Sequence, residues 1–296
     1  MSHIPFAFWL TDLLRPSIFV ELGAYTGVSF CAFCQRIAEL KLGCQAYAID
    51  TWQGDANMGA YPEAVHEDLA NYVAANYAGF ASLIRSTFAA AAPQFEDGSI
   101  DLLNIDGCHS EEAMLADFEL WLPKLSSRGV ILMHDISARL PGYGGVAAWR
   151  KISANFPSFS FTHGYGLGLV LAGSSCPQAL QDLCALPPDE QALFANRFQQ
   201  QGRIYEKLFW LEQKRSQEQH SAEAAAASAA AASSDLRAEN AELRRLLEKE
   251  RLERLTEREK MREEVTKAIL AANALESSIS WKLTAPLRKM ASLFRN

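Results

Sequence analysis

The 296-residue chain has no run of about 18 apolar residues, so a membrane-spanning helix is not expected. It also lacks a basic excess: 28 Lys and Arg stand against 35 Asp and Glu, a formal net charge of -7. Nucleic-acid binders usually show the opposite balance, so nucleic acid is not expected as a partner. The opening "MSHIPFAFWLTDLLRP" has no basic n-region and no clear cleavage site. A signal peptide is therefore not expected, and the cytoplasm fits best. Cysteine is sparse for a disulfide scaffold: Cys31, Cys34, Cys44, Cys108, Cys176 and Cys184. No second pair stands at zinc spacing from Cys31 and Cys34, and "SFCAFCQRIAEL" reads as a helix. The pair is expected to be two small core thiols on one helix face.

The net charge hides a boundary. Residues 1–212 hold 12 basic and 22 acidic residues, whereas 213–296 hold 16 and 13. The texture changes at the same point. Residues 1–212 read as a folded domain, 213–234 as an Ala/Ser-rich connector, 235–279 as a long charged helix and 280–296 as a basic amphipathic tail.

In the first part, apolar runs alternate with helical patterns. "SIFVELG", "AYAID", "ASLIRS", "SIDLLNID" and "RGVILMHD" read as strands, and "GVSFCAFCQRIAEL", "EEAMLADFELWLPKL" and "GGVAAWRKISANF" as helices. "FSFTHGYGLGLVLAG" reads as two closing strands around a glycine-rich turn. This is the doubly wound, mostly parallel α/β pattern, whose chemistry lies beyond the carboxyl ends of the strands.

In the second part, Ser233, Ser234 and Asp235 are expected to cap the long helix. Leu236, Leu243, Leu247, Leu255, Val265, Ile269 and Ile279 form its apolar stripe, in an imperfect heptad. Self-association as a coiled coil, an enzyme partner, or a solvated single helix all fit. The tail interleaves Trp281, Leu283, Leu287, Met290 and Leu293 with Lys282, Arg288, Lys289 and Arg295. It suits contact with an anionic membrane surface, at its inner face, or with a protein.

The strand ends carry the candidate site. The first runs into "VELGAYTGVS", where E-x-G-x-x-x-G departs from the pyrophosphate fingerprint G-x-G-x-x-G. Glu21 ahead of the turn disfavours a pyrophosphate and favours a cationic or hydroxyl-bearing ligand. Gly23 allows close backbone approach, and Gly27 close helix packing. Asp50 ends the second strand, where a carboxylate accepts both ribose hydroxyls. Trp52 is expected to offer a flat surface to a base, with Ser86 and Thr87 near its edge. "LLNIDGCHSEE" and "VILMHD" then bring Asp106, His109, His134 and Asp135 onto adjacent strand ends, about 5 Å apart. With no Lys or Arg in either motif, the two carboxylates call for a bridging cation such as magnesium or manganese. The plainer reading makes both aspartates helix caps. His109 is the more attractive base, because an ordinary imidazole accepts a proton near neutrality.

Together these pieces resemble the class I S-adenosylmethionine-dependent methyltransferases. More narrowly, they resemble the small-molecule group that contains the cephalosporin hydroxylase-like proteins. The resemblance covers roughly residues 15–172. It implies a Rossmann-like sheet and S-adenosylmethionine as cofactor. Glu21 and the turn Gly23, Ala24, Tyr25, Thr26 and Gly27 would hold the methionine portion, and Asp50, with Thr51 and Trp52 beside it, the ribose. Asp106 would touch the cofactor and, with His134 and Asp135, carry a magnesium ion. His134 departs from the carboxylate or amide usual there, and Cys108 from an acidic base. "SWKLTAPLRKM" is similar to a terminal motif of bacterial surface-polysaccharide proteins. The implied activity is O-methylation of a small-molecule or saccharide hydroxyl. A metal-dependent hydroxylase-like enzyme, or a non-catalytic assembly module, are the alternatives.

Overall fold

A computed structural model describes residues 2–55 and 59–277. The expected α/β architecture is present. Strands β1 (Ile18–Leu22), β2 (Gln45–Asp50), β3 (Ala81–Arg85), β4 (Ile100–Ile105), β5 (Leu125–His134), β6 (Ser158–Phe161) and β7 (Leu167–Leu171) form one sheet. Its spatial order is β3-β2-β1-β4-β5-β7-β6, and only β7 runs antiparallel to its neighbours. The order reverses between β1 and β4, so a crevice opens beyond their carboxyl ends. The sheet is Rossmann-like and doubly wound.

Burial alternates along the strands as their period of two requires. Phe19, Leu102, Val130 and Leu132 face one core, and Val20, Leu103, Ile131 and Met133 the other. The first core is closed by α1 (Ile4–Leu14) and α2 (Val28–Glu39). The second is closed by α5 (Glu111–Trp121) and α6 (Gly145–Ser153), through Met114, Phe118, Trp121, Ala148 and Ile152. All six residues of β4 are buried, as expected of a central strand covered on both faces.

The opening segment is α1, which the sequence reading did not anticipate. Pro5 sits in its first turn, and Phe6, Ala7, Leu10, Thr11 and Leu14 are buried. It ends at Arg15, in the left-handed region just before Pro16. Between β2 and β3 lies α3 (Glu63–Asn76), and the short α4 (Phe88–Ala91) follows β3. Cys31 and Cys34 are free thiols on α2. Burial raises both, with Cys31 at about 11, so neither is poised as a nucleophile.

After α7 (Gln178–Ala185) comes α8 (Pro188–Ser277). The chain divides into two compact units between Gln213 and Lys214. In the first unit, Phe194, Ala195 and Phe198 of α8 pack against the core. In the second, Leu236, Leu243, Leu247, Leu255, Val265 and Ile269 are exposed. The expected caps Ser233, Ser234 and Asp235 lie inside the helix, so the segment 213–234 is helical rather than a break. Its alanine run explains this, because alanine has the highest helix propensity. The tail 280–296, with Ile279, Trp281 and its basic residues, lies outside the described residues.

Candidate functional site

The turn after β1 is held from two directions. The Gly23 amide donates to the Ile49 carbonyl at 2.9 Å, and the Gly27 amide to the Ala24 carbonyl at 2.7 Å. Gly23 has φ +87°, and a β-carbon there would lie 2.1 Å from the Asp106 carbonyl oxygen. Only glycine lets these two strand ends approach so closely. Gly27 starts α2 at φ +75°, and its missing β-carbon leaves room for Leu69. Both glycines are therefore required by packing.

Asp50 clamps the same turn. Its Oδ2 accepts from the Tyr25 amide at 2.9 Å, and its Oδ1 from the Trp52 amide at 2.8 Å. Each oxygen keeps lone-pair capacity for a ligand hydroxyl. Asp50, Thr51, Tyr25, Gly23, Thr87 and Asp106 border a cleft of about 220 Å³. Two expectations change here. Trp52 does not offer its face to the cleft: only 1% of it is exposed, and its indole Nε1 donates to the Tyr25 carbonyl at 2.9 Å. Its backbone is left-handed, at φ +51°, and the ring packs in the core as a brace beneath the turn. Ser86 does not border the cleft, because its amide and hydroxyl bond to the Asp50 and Thr87 carbonyls. Thr87 and Phe88 stand there instead. Ala24 is buried and Thr26 exposed, and neither borders the cleft.

Glu21 also departs from expectation. It is fully buried and meets no cleft directly. Its Oε1 accepts from the Ser29 hydroxyl at 2.8 Å, and its Oε2 from Asn104 Nδ2 at 2.9 Å. Burial pushes its pKa up to about 8, against the opposing pull of those two bonds. Glu21 is thus a support that orients Ser29 and Asn104. Those two do reach a cavity of about 180 Å³, bordered by Phe6, Ala32, Phe33 and Leu132 on its apolar side. Asn104 is 4% exposed and its Oδ1 has no hydrogen-bond partner. The signal was in the sequence, as a lone amide inside the apolar run "DLLNI".

Asp106 borders both the cleft and the cavity. The register Ile105↔Met133 sets it beside His134. His134 Nδ1 lies 3.2 Å from Asp106 Oδ1 and 3.0 Å from Asp135 Oδ1. Burial alone would lower this histidine, but the two carboxylates overcome it and hold the pKa at about 10. Without a metal, the imidazolium proton therefore sits where a cation would balance the two aspartates. Asp135 takes a left-handed backbone, φ +62°, with its amide bonded to the Gly166 carbonyl at 3.0 Å. Its Oδ2 lies 3.0 Å from His109 Nδ1. His109 stacks on Tyr143, with ring centres 4.6 Å apart and planes 9° apart. Ser110, next in sequence, caps α5 by accepting from the Ala113 amide, so His109 stands on a fixed stem.

Oxygen or nitrogen atoms of Asp106, His134 and Asp135 all lie within 4.8 Å of one another. Two carboxylates and an imidazole already arranged around one positive charge fit a divalent cation. Neither His3 nor His163 was anticipated. Their rings are 4.6 Å apart, and the His3 ring centre is 5.7 Å from that of His134. Each has a buried Nε2 without a partner, and burial lowers both, His3 to about 3. Only tertiary packing of α1 on the sheet brings them to this corner.

Residues 20–136 match the family described as methyltransferase domain. A relative from Sinorhizobium fredii (strain NBRC 101917 / NGR234), the uncharacterized protein y4gI, is 39% identical over 193 residues. That alignment covers 65% of this chain and 21% of the relative, so the chain spans about a fifth of the relative's length. Among solved structures, the O-methyltransferase TomG from Streptomyces achromogenes, in complex with SAM, is 14% identical with a TM-score of 0.43. The match covers 58% of this chain and 79% of TomG. The O-methyltransferase from Bacillus cereus, in complex with SAH, is 15% identical with a TM-score of 0.44. It covers 57% of this chain and 80% of that one.

Proposed function

We propose that the first unit is an S-adenosylmethionine-dependent O-methyltransferase that acts on a small-molecule or saccharide hydroxyl with help from a divalent metal. The observation that carries this reading is the position of Asp106. It is the shared wall between the cleft bordered by Asp50 and the cavity bordered by His134.

When bound, the cofactor supplies a methyl group already activated by a positively charged sulfur. The protein's work is alignment, exclusion of water and removal of one proton. Asp50 presents free lone pairs to a ribose, with Tyr25, Thr51 and Thr87 around it. Ser29, oriented by Glu21, supplies a polar contact toward the amino-acid end. His109 takes the proton from the acceptor hydroxyl as its oxygen gains the methyl carbon. The bound cofactor would supply the methyl group and keep the carbon–sulfur electron pair as a neutral thioether. Asp106, His134 and Asp135 would hold the metal, whose contribution is to make the hydroxyl more acidic.

The glycan reading is supported by the tail motif "SWKLTAPLRKM". The exposed leucine stripe of α8 supports self-association or an enzyme partner. The basic residues of 280–296 support peripheral contact at the inner face of a membrane. Among the described residues no helix is long and apolar enough to cross a membrane.

The test is mass spectrometry of candidate acceptors incubated with methyl-labelled S-adenosylmethionine. Wild type should transfer the label and Asp106→Ala should not, with its fold and cofactor binding retained. Full activity in Asp106→Ala would overturn the site assignment. Unchanged rates after exhaustive chelation would overturn the metal's role.

A further inference from the structure

The metal reading leaves open which ion the corner selects, and its donor chemistry bears on that choice. Its three inward groups are the Asp106 carboxylate, the Asp135 carboxylate and the His134 imidazole. The two carboxylates balance a doubly charged ion, and the imidazole adds a nitrogen donor without charge. Magnesium favours an all-oxygen octahedron and sheds water reluctantly. Replacing one of its waters with nitrogen gains it little. First-row transition ions bind imidazole well and accept mixed nitrogen and oxygen sets.

The surroundings reinforce the nitrogen character. His3 borders the same cavity, and its ring meets that of His134 edge-on. Its Nε2 is buried without a hydrogen-bond partner. Asn104 is an independent pointer to a ligand. It is 4% exposed and borders the same cavity as Asp106 and His134, with Oδ1 unpartnered. A buried acceptor at a cavity shared with Asp106 and His134 calls for a donor, and water held on a cation is one.

We infer that the corner formed by Asp106, His134 and Asp135 is a transition-metal site, selecting first-row transition ions over magnesium through His134 as a nitrogen ligand. This inference rests on the proposed metal assistance and deepens it. The sequence signal is the histidine in "LMHD".

The test uses the full chain, stripped with chelator and loaded with manganese chloride. Pulsed electron paramagnetic resonance should show a directly bound nitrogen on one manganese ion per chain. Displacement by magnesium chloride should need an excess on the order of 10–100-fold, the usual span for changes in a metal's ligand shell. His134→Asp makes the set all-oxygen. It should abolish the nitrogen coupling and bring the magnesium-to-manganese ratio toward parity. Nitrogen-free manganese in the wild type, or displacement by magnesium at parity, would overturn the inference while leaving metal assistance intact. If neither ion binds, both fall. Calorimetric binding of S-adenosylmethionine by the same sample then decides separately whether the methyltransferase reading stands. The wild-type spectrum decides the matter even if the variant does not fold.

Discussion

His109 Nδ1 and Asp135 Oδ2 face each other at 3.0 Å, and this pairing turns the other ring nitrogen into the one that takes a proton. The imidazole is held from behind by a carboxylate and flanked by the Tyr143 ring. His109→Ala should lower kcat by about 10²–10⁴-fold, the usual weight of a positioned base. S-adenosylmethionine affinity should fall far less than kcat, although His109 borders the same cleft as Asp50. Single-turnover rates with labelled cofactor and calorimetry on the same preparation check both halves. An undiminished rate would remove His109 from the chemistry.

The two glycines of the first turn should differ in cost. A β-carbon at residue 23 meets the Asp106 backbone oxygen, whereas one at residue 27 meets the end of the Leu69 side chain. Backbone cannot retreat as a side chain can. Gly23→Ala should therefore lose cofactor binding and unfold at a clearly lower temperature than Gly27→Ala. Thermal unfolding with and without S-adenosylmethionine checks the ranking, and equal losses would contradict it.

Trp52→Phe separates packing from hydrogen bonding. The phenyl ring fills most of the buried space, but the Tyr25 carbonyl loses its indole donor. Stability should fall by roughly 0.5–1.5 kcal/mol, the net worth of one such bond. Cofactor affinity should fall with it, because Tyr25 also donates to Asp50. Urea unfolding paired with calorimetry would show it, and unchanged affinity would deny Trp52 its bracing role.

Two buried groups set the alkaline stability of the metal-free chain. Glu21 is raised from 4.5 to about 8, and His134 from 6.5 to about 10. In each case the folded state keeps a proton that the unfolded state has already lost. The Glu21 contribution is complete below pH 4.5 and is lost as pH rises through 8. The His134 contribution is complete below pH 6.5 and is lost as pH rises through 10. Both windows overlap between pH 6.5 and 8, so the decline in stability should be steepest there. Glu21→Gln removes one titration and should make that slope shallower. Urea midpoints measured in chelator across this range check it, and an unchanged slope would contradict the buried-acid account.

Much of this is legible in the sequence. Apolar runs such as "SIFVEL" and "LLNI" have nowhere to go but a doubly covered sheet, so the central strands were legible. The meeting of Asp106 with His134 and Asp135 followed from adjacent strand ends. Direction was not legible. Trp52 lies next to a strand end, yet its left-handed backbone turns the ring into the core. Glu21 carries charge in the sequence, but burial behind Ser29 and Asn104 makes it a support. His3 and His163 are 160 positions apart, and only the docking of α1 joins them. The helix across 213–234 was masked by its serines, which suggested caps, while the alanines decided the matter.

The central claim is that the cleft beyond β1 and β2 holds S-adenosylmethionine through Asp50. Isothermal titration of the full chain with S-adenosylmethionine tests it most directly. The account predicts one site per chain and at least about 10-fold weaker binding in Asp50→Ala, in line with about 1.4 kcal/mol from the lost hydroxyl bonds. No binding by the wild type, or equal affinity in Asp50→Ala, would contradict it.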